Sequence, residues 1–258
     1  MSKRPREIAD WLRQHLTIGG ARGFVVGLSG GIDSAVVARL CQIAAPDNVV
    51  GVLMPCHSVA SDLIDARALA EHFNIPTMHV DLAPAYDRLV EDAGASLRQV
   101  PNGSLPAGGA AAGNDTVTQR PLANLKARLR MSTLYFVANS LGYLVAGTGN
   151  RSELMVGYFT KYGDGGCDLL PIGMLVKREV KNLARELDVP EAIIEKPPSA
   201  GLWAGQTDEQ EMGFTYADLE RYEMEGPDAV SPALAMRIER LIRASEHKRS
   251  LPPMPESE

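Results

Sequence analysis

The sequence predicts an α/β fold: a doubly wound parallel sheet flanked by helices. Short apolar runs of strand length alternate with longer stretches of helical period. A glycine turn joins the first strand to the first helix of that alternation. Strands alternating with helices imply parallel pairing through right-handed crossovers. With 258 residues, 45% of them hydrophobic, the chain is long enough for one large domain with a substantial core. Residues 1–258 therefore read as a single domain.

The elements follow in order. After Pro5, the residues Ile8, Trp11, Leu12 and Leu16 share one helical face, which packs on the domain or on a partner. The run Phe24-Val25-Val26 is the first strand, and a helical pattern begins at Ala35. Residues 48–54 read as a second buried strand. Residues 61–73 read as a helix with Leu63, Ala66, Leu69, Ala70 and Phe73 inward. Residues 77–82 make a third strand. Residues 101–120, rich in Gly, Ala, Pro and Asn, read as a flexible insertion. Pro121 opens a long helix reaching about residue 141, since proline suits a first helical turn. Residues 143–147 are a fourth buried strand. The segment after it leaves the C-terminal edge of the sheet, where doubly wound folds place ligands. Residues 157–171 are glycine-rich. Val176, Val180, Leu183, Ala184 and Leu187 give the next helix its apolar face. A proline- and glycine-bearing loop spans 196–207. Two closing helices cover 216–222 and 231–244, and residues 251–258 read as a disordered tail. A sheet of about five strands is expected, a common size.

Charge and cysteine content exclude several function classes. The net charge of −6 argues against broad nucleic-acid binding. No apolar run is long enough to span a membrane. The basic N-terminus lacks an apolar signal core. Three scattered cysteines, Cys41, Cys56 and Cys167, make neither a disulfide framework nor a cysteine-only zinc site. A cytoplasmic location is the expectation.

The chemistry starts at Gly27-Leu28-Ser29-Gly30-Gly31-Ile32-Asp33-Ser34. A glycine turn opening a helix suits an anion, because the first helical amides lack internal partners and the dipole adds partial positive charge. Gly30 and Gly31 allow positive φ and close approach of a phosphate. The lysine of a Walker A loop is missing, so amides and the hydroxyls of Ser29 and Ser34 would hold a pyrophosphate. Asp33 beside a phosphate needs a cation between them, which implies Mg²⁺. The alternative is a plain tight turn with Asp33 as a helix cap.

Ser29-Gly30-Gly31-Ile32-Asp33-Ser34 resembles the signature of the ATP pyrophosphatases, whose Rossmann-like fold is adenine nucleotide alpha-hydrolase-like. Further segments narrow the resemblance. They include Ala127-Arg128-Leu129-Arg130-Met131, Gly147-Thr148 with Glu153, Phe159-Thr160-Lys161-Tyr162-Gly163-Asp164-Gly165-Gly166, Asp168-Leu169-Leu170-Pro171, Lys177-Arg178, Asp208-Glu209 and His247-Lys248-Arg249. With these, nearly the whole chain resembles the ammonia-dependent NAD synthetases. That resemblance implies ATP-dependent amidation of deamido-NAD to NAD with ammonia. An acyl-adenylate forms on the way, and AMP and pyrophosphate are released. It also implies a homodimer.

The resemblance assigns roles by position. Asp33 and Glu153 match Mg²⁺ ligands. Gly27 to Ser34, Thr148, Lys177 and Ser199 match ATP contacts; Ser199 replaces the expected threonine but keeps the hydroxyl. Arg128, Lys161, Asp168, His247 and Lys248 match deamido-NAD contacts. Asp33, Glu153 and Lys177 would carry the catalysis. On spacing alone each has an ordinary reading: Glu153 a solvated carboxylate, Lys177 an exposed helix lysine, Arg128 a surface ion pair, His247 and Lys248 a solvated basic run. Arg130 lies about 200° round a helix from Arg128, so the two cannot face one site. Residues 199–211 resemble a covering loop; its Asp208 and Glu209 either organise metal or ammonia, or simply start a helix.

Three rivals remain. A tRNA-modifying sulfur transferase would need placed cysteines and a basic face. A GMP-forming amidase would need a glutaminase domain. A non-enzymatic nucleotide sensor would leave the carboxylate pair unexplained. Cys56-His57 is the only neighbouring Cys–His pair, and adjacency in sequence does not orient a base toward a thiol. Free ammonia is therefore the expected nitrogen donor.

Overall fold

The computed structural model describes residues 3–100, 116–198 and 207–255. Four strands, Phe24–Gly27 (β1), Val49–Leu53 (β2), Thr77–His79 (β3) and Leu144–Val145 (β4), pair in parallel in the order β3-β2-β1-β4. The chain thus steps outward from β1 to β3, then returns to the other side of β1. Such a reversal opens a crevice beyond the C-terminal strand ends, here between β1 and β4.

Helices Lys3–Gly19 (α1), Ile32–Ala44 (α2), Ala60–His72 (α3), Ala83–Leu97 (α4) and Thr116–Leu141 (α5) precede β4. After it come Arg151–Val156 (α6), Lys177–Glu186 (α7), Glu191–Ile194 (α8), Asp208–Met212 (α9), Tyr216–Glu225 (α10), Pro232–Ala244 (α11) and Glu246–Arg249 (α12). No helix among the described residues is long and apolar enough to cross a membrane.

Alternation along β1 sets the two layers. Phe24 and Val26 point into one core with α1, α2 and α7, while Val25 points into a second core with α4 and α5. Successive strand side chains face opposite sides, so a strand covered on both faces is apolar throughout. Helix α2 is buried on nearly all sides, from Ile32 through Ala44, as expected of a helix apolar all round. A third cluster of Val156, Met212, Phe214, Tyr216, Leu219 and Ile238 packs α6 against α9, α10 and α11. Each fully buried leucine, isoleucine or phenylalanine in these clusters contributes about 1.5–3 kcal/mol.

The structure corrects several expectations. The sheet has four strands among the described residues, with a single parallel bridge from Ala146 to Leu169 where a fifth would pair. β4 is two residues long rather than five. The Val145 and Gly147 N–H groups turn away from β1, to the Asp168 carboxylate (2.8 Å) and the Leu169 carbonyl (2.8 Å), while the Ala146 N–H still donates to the Val25 carbonyl at 2.9 Å. Helix α5 starts at Thr116 and carries Pro121 inside it, although proline removes one backbone donor there. Residues 116–120 of the predicted insertion are therefore helical, and residues 101–115 lie outside the described residues. α4, α8 and α12 were not predicted. The segment 251–255 has no regular structure; 256–258 lie outside the described residues.

Candidate functional site

The glycine turn sits at the C-terminal end of β1, as the sequence predicts. Gly27 ends the strand, Leu28 to Gly31 turn, and Ile32, Asp33 and Ser34 form the first turn of α2. Gly30 is left-handed, with φ of 78°. Gly31 caps α2 without any side-chain bond, which leaves the first-turn N–H groups to an incoming acceptor. Two hydroxyls brace the turn. Ser34 Oγ donates to the Gly31 carbonyl (2.9 Å), and Ser29 Oγ lies 3.1 Å from Ser34 Oγ while accepting the Gly31 N–H at 3.2 Å. An inward-facing row of amides at a helix start is an anion cradle.

Three side chains far apart in sequence converge beside it. Lys177, first residue of α7, places Nζ 2.5 Å from Asp33 Oδ2 and 3.7 Å from Glu153 Oε1. Its side chain is only 5% exposed, so it is not a solvated helix lysine. Glu153 is likewise enclosed, at 17%. Burial alone would lower the lysine pKa, but the charges of Asp33 and Glu153 outweigh that and raise it, so the ammonium stays charged. Burial, and then the negative charge of Asp33, hold the Glu153 carboxyl well above its ordinary range. One ammonium serves two carboxylates, and the site has a surplus of acid.

Asn150 links the two carboxylates, and sequence reasoning passed over it. It is fully buried. Its Nδ2 donates to Asp33 Oδ1 at 3.1 Å, and its Oδ1 accepts the Glu153 N–H at 3.1 Å. The Glu153 side chain in turn accepts the Asn150 N–H at 3.2 Å, closing a capping box on α6. The Asn-x-x-Glu spacing was a readable signal for that box. Thr148 lies half-buried in the turn between β4 and this cap.

Asp208 closes the other side. It is buried, in the first turn of α9, and Tyr216 Oη donates to its Oδ2 at 2.9 Å. Its Oδ1 is buried with no hydrogen-bond partner among the described residues. Burial raises its pKa, while Lys177, Tyr216 and Tyr158 pull it down. The Lys177 ammonium stands 5.2 Å from the Tyr216 ring centroid. Tyr158 donates to Glu211. Part of the segment expected to be a covering loop is thus helical. Ser199 and the rest of that segment, 199–206, lie outside the described residues.

Of the second predicted group, Arg128, Lys161 and His247 meet in a chain of contacts, while Lys248 and Asp168 have partners of their own. Arg128 on α5 donates to the Lys161 carbonyl (3.3 Å), and Lys161 Nζ donates to the His247 carbonyl of α12. Lys248 donates to the carbonyls of Gly157 (2.7 Å) and Phe159 (2.6 Å), so it straps the glycine-rich stretch rather than standing in a solvated run. Asp168 is held by Val145 N–H and by Tyr135 Oη at 3.0 Å. Arg130 turns elsewhere, to Met54 O and Ser58 Oγ, as the helical angle requires. Cys56 is buried, and burial raises its thiol pKa; the His57 ring bonds Asp87 at 2.7 Å instead. Among the described residues no base is oriented toward that thiol.

Known proteins resemble this chain over nearly its whole length. A family model described as NAD synthase matches residues 5–252. A relative from Carboxydothermus hydrogenoformans, named NH(3)-dependent NAD(+) synthetase, is 47% identical over 98% of this chain and 97% of its own. One of the same name from Syntrophomonas wolfei is 46% identical over 96% and 93%. Among solved structures, the NMN synthetase from Francisella tularensis has a TM-score of 0.85 at 36% identity, covering 99% of this chain and 98% of that one. The NH3-dependent NAD synthetase from Campylobacter jejuni, in complex with the nitrate ion, has a TM-score of 0.76 at 30% identity, covering 99% and 100%.

Proposed function

The chain belongs to the NAD synthase family, and from that premise we propose that it amidates deamido-NAD to NAD with ATP and ammonia. The observation that carries this reading is the meeting of Asp33, Lys177 and Glu153 beside the Ser29–Ser34 turn. A carboxylate is a poor acyl donor. Its oxygen attacks the α-phosphorus of ATP, the bond to the β-phosphate oxygen breaks, and pyrophosphate leaves with the electron pair. Ammonia then attacks the acyl carbon, AMP leaves with its oxygen, and one proton is lost.

The chain's contribution is positioning and charge. The turn amides and the Ser29 and Ser34 hydroxyls cradle the departing pyrophosphate. Lys177 releases one carboxylate and turns its ammonium toward the developing charge. Thr148 and Ser199 hold ATP. Arg128, Lys161, Asp168, His247 and Lys248 border the dinucleotide.

Mg²⁺ fits the donor set. Asp33 and Glu153 are hard oxygen ligands sharing a single ammonium, so acid is in excess where a phosphate would bring more negative charge. No group of three or more ligating side chains exists among the described residues, so water and phosphate oxygens would complete the shell. When bound, the ion neutralises phosphate charge and fixes the chain for in-line displacement. We further propose a single-domain, cytoplasmic homodimer, as the family resemblance implies.

A second reading is favoured by one finding, the TM-score of 0.85 to an NMN synthetase. Nicotinate mononucleotide would then supply the carboxylate that is adenylated in the same chemistry. The test is pyrophosphate release from Mg·ATP with ammonium and either deamido-NAD, nicotinate mononucleotide or no acceptor, with products separated by chromatography. The first reading expects release that depends on deamido-NAD and matches NAD and AMP one for one. Preference for the mononucleotide selects the second. Release independent of any acceptor refutes both.

A further inference from the structure

Outside the residues given roles above, Lys196 makes a two-pronged contact against the wall of the phosphate turn. Its Nζ donates to Asp62 Oδ1 at 2.9 Å and to Asp65 Oδ2 at 2.5 Å. All three side chains are mostly enclosed, with exposures between 23% and 33%. Asp62 and Asp65 stand one turn apart near the start of α3, on neighbouring positions of one helix face, where like charges repel. The lysine comes from a fixed base: α8 ends just before it, with Ile193 and Ile194 in the core.

The acidic pair lies directly behind Gly30. A Cβ built on Gly30 would fall 2.4 Å from the Asp62 carbonyl oxygen and 3.1 Å from Asp65 Cβ. The first turn of α3 is therefore in van der Waals contact with the left-handed residue of the turn. Two uncompensated carboxylates there would repel any phosphate placed in the cradle.

We propose that Lys196 is a positioning residue for ATP: by bridging Asp62 and Asp65 it offsets one of the two negative charges of the acidic wall behind Gly30. The inference rests on the ATP reading of residues 29–34. It assigns Lys196 no contact with substrate; it acts through the two aspartates.

The experiment is steady-state kinetics of Lys196→Met, with Asp62→Asn/Asp65→Asn added in the same chain. In Lys196→Met the KM for ATP should rise about fivefold at low salt, the scale of one charge acting in a partly enclosed site. The rise should shrink at high ionic strength through screening. The kcat and the KM for the carboxylate substrate should stay near wild type. Removing both acids from Lys196→Met should restore the KM for ATP. An unchanged KM for ATP, a fall confined to kcat, or no restoration in the triple variant overturns the proposal. If Lys196→Met does not fold, Asp62→Asn/Asp65→Asn alone decides, because deleting the acids must lower the KM for ATP, and an equal or higher value overturns it. Calorimetric titration of wild type with Mg·ATP separates the two levels: no binding there defeats the ATP reading, whereas normal binding with an unaltered Lys196→Met defeats only the role of Lys196.

Discussion

Replacing Asn150 tests whether one buried side-chain amide ties Asp33 to the start of α6. The side chain has two separable tasks: its oxygen caps α6 and its nitrogen donates to Asp33. Losing a cap costs about 0.5–2 kcal/mol, and losing a hydrogen bond to a charged group about 1.5–3 kcal/mol. Asn150→Ala loses both, so about 2–5 kcal/mol is expected. At about 2–4 °C per kcal/mol for a chain of this size, the melting temperature should fall by about 4–20 °C. Asn150→Asp is more diagnostic. Aspartate caps as well as asparagine, so capping alone predicts no loss. Yet it sets a carboxylate oxygen where Nδ2 now lies, 3.1 Å from Asp33 Oδ1. Asn150→Asp should therefore be destabilised at least as much as Asn150→Ala. The sign of its pH dependence follows. The new carboxyl is buried next to a like charge, so its folded pKa lies above its unfolded value. Stability is then fully present below the unfolded value and is lost as pH rises through the folded one. The deficit should be greatest near pH 8 and shrink on acidification. Urea denaturation followed by circular dichroism, at several pH values and with an unchanged m-value, measures it. Asn150→Asp within about 0.5 kcal/mol of wild type at pH 8 would refute the coupling, since unlinked surface changes stay within that range.

Other outcomes follow from the same geometry. Gly30→Ala should destabilise by about 1–3 kcal/mol and weaken ATP binding, because φ is 78° and the added methyl meets the Asp62 carbonyl; wild-type melting temperature and KM for ATP would contradict this. Asp33→Asn or Glu153→Gln should remove most activity and weaken Mg·ATP binding in calorimetry, and unchanged turnover at limiting Mg²⁺ would reject their metal role. Cys56→Ala should leave ammonium-supported synthesis intact and glutamine should not serve, since His57 bonds Asp87 rather than the thiol; efficient glutamine use that this substitution abolishes would reveal a missed glutaminase site.

Much of the fold was legible because burial on both sheet faces leaves an unbroken apolar signal. The strand at Phe24-Val25-Val26 and the inward face of α3, with Ala66, Leu69, Ala70 and Phe73 buried, followed from periodicity alone. Helix α4 gave no such signal: only Tyr86 and Gly94 are buried, and Leu89 is 44% exposed. Trp11 was expected on the face of α1 that packs on the domain or on a partner; within this chain the buried face runs through Pro5, Ala9 and Leu12, one step round the helix.

The candidate site divides along the same physical line. What a side chain does to its own backbone is local, so the turn at Gly30, the start of α2 at Asp33 and the cap at Asn150 were all within reach of spacing rules. Which side chains meet across the crevice is decided by strand order. Because β4 pairs with β1, the turn after one strand faces the cap after the other. Asn150 thereby reaches Asp33 across 117 residues of chain, and Lys177 reaches it across 144. No spacing rule encodes those distances, and for Lys177 the local pattern pointed the wrong way, to an exposed lysine on a charged helix. Cys56 and His57 show the converse. They are neighbours in sequence, but His57 adopts a left-handed φ of 53° and its ring bonds Asp87. Adjacency built no catalytic pair there, whereas the strand order built a charged cluster from residues that share no local pattern.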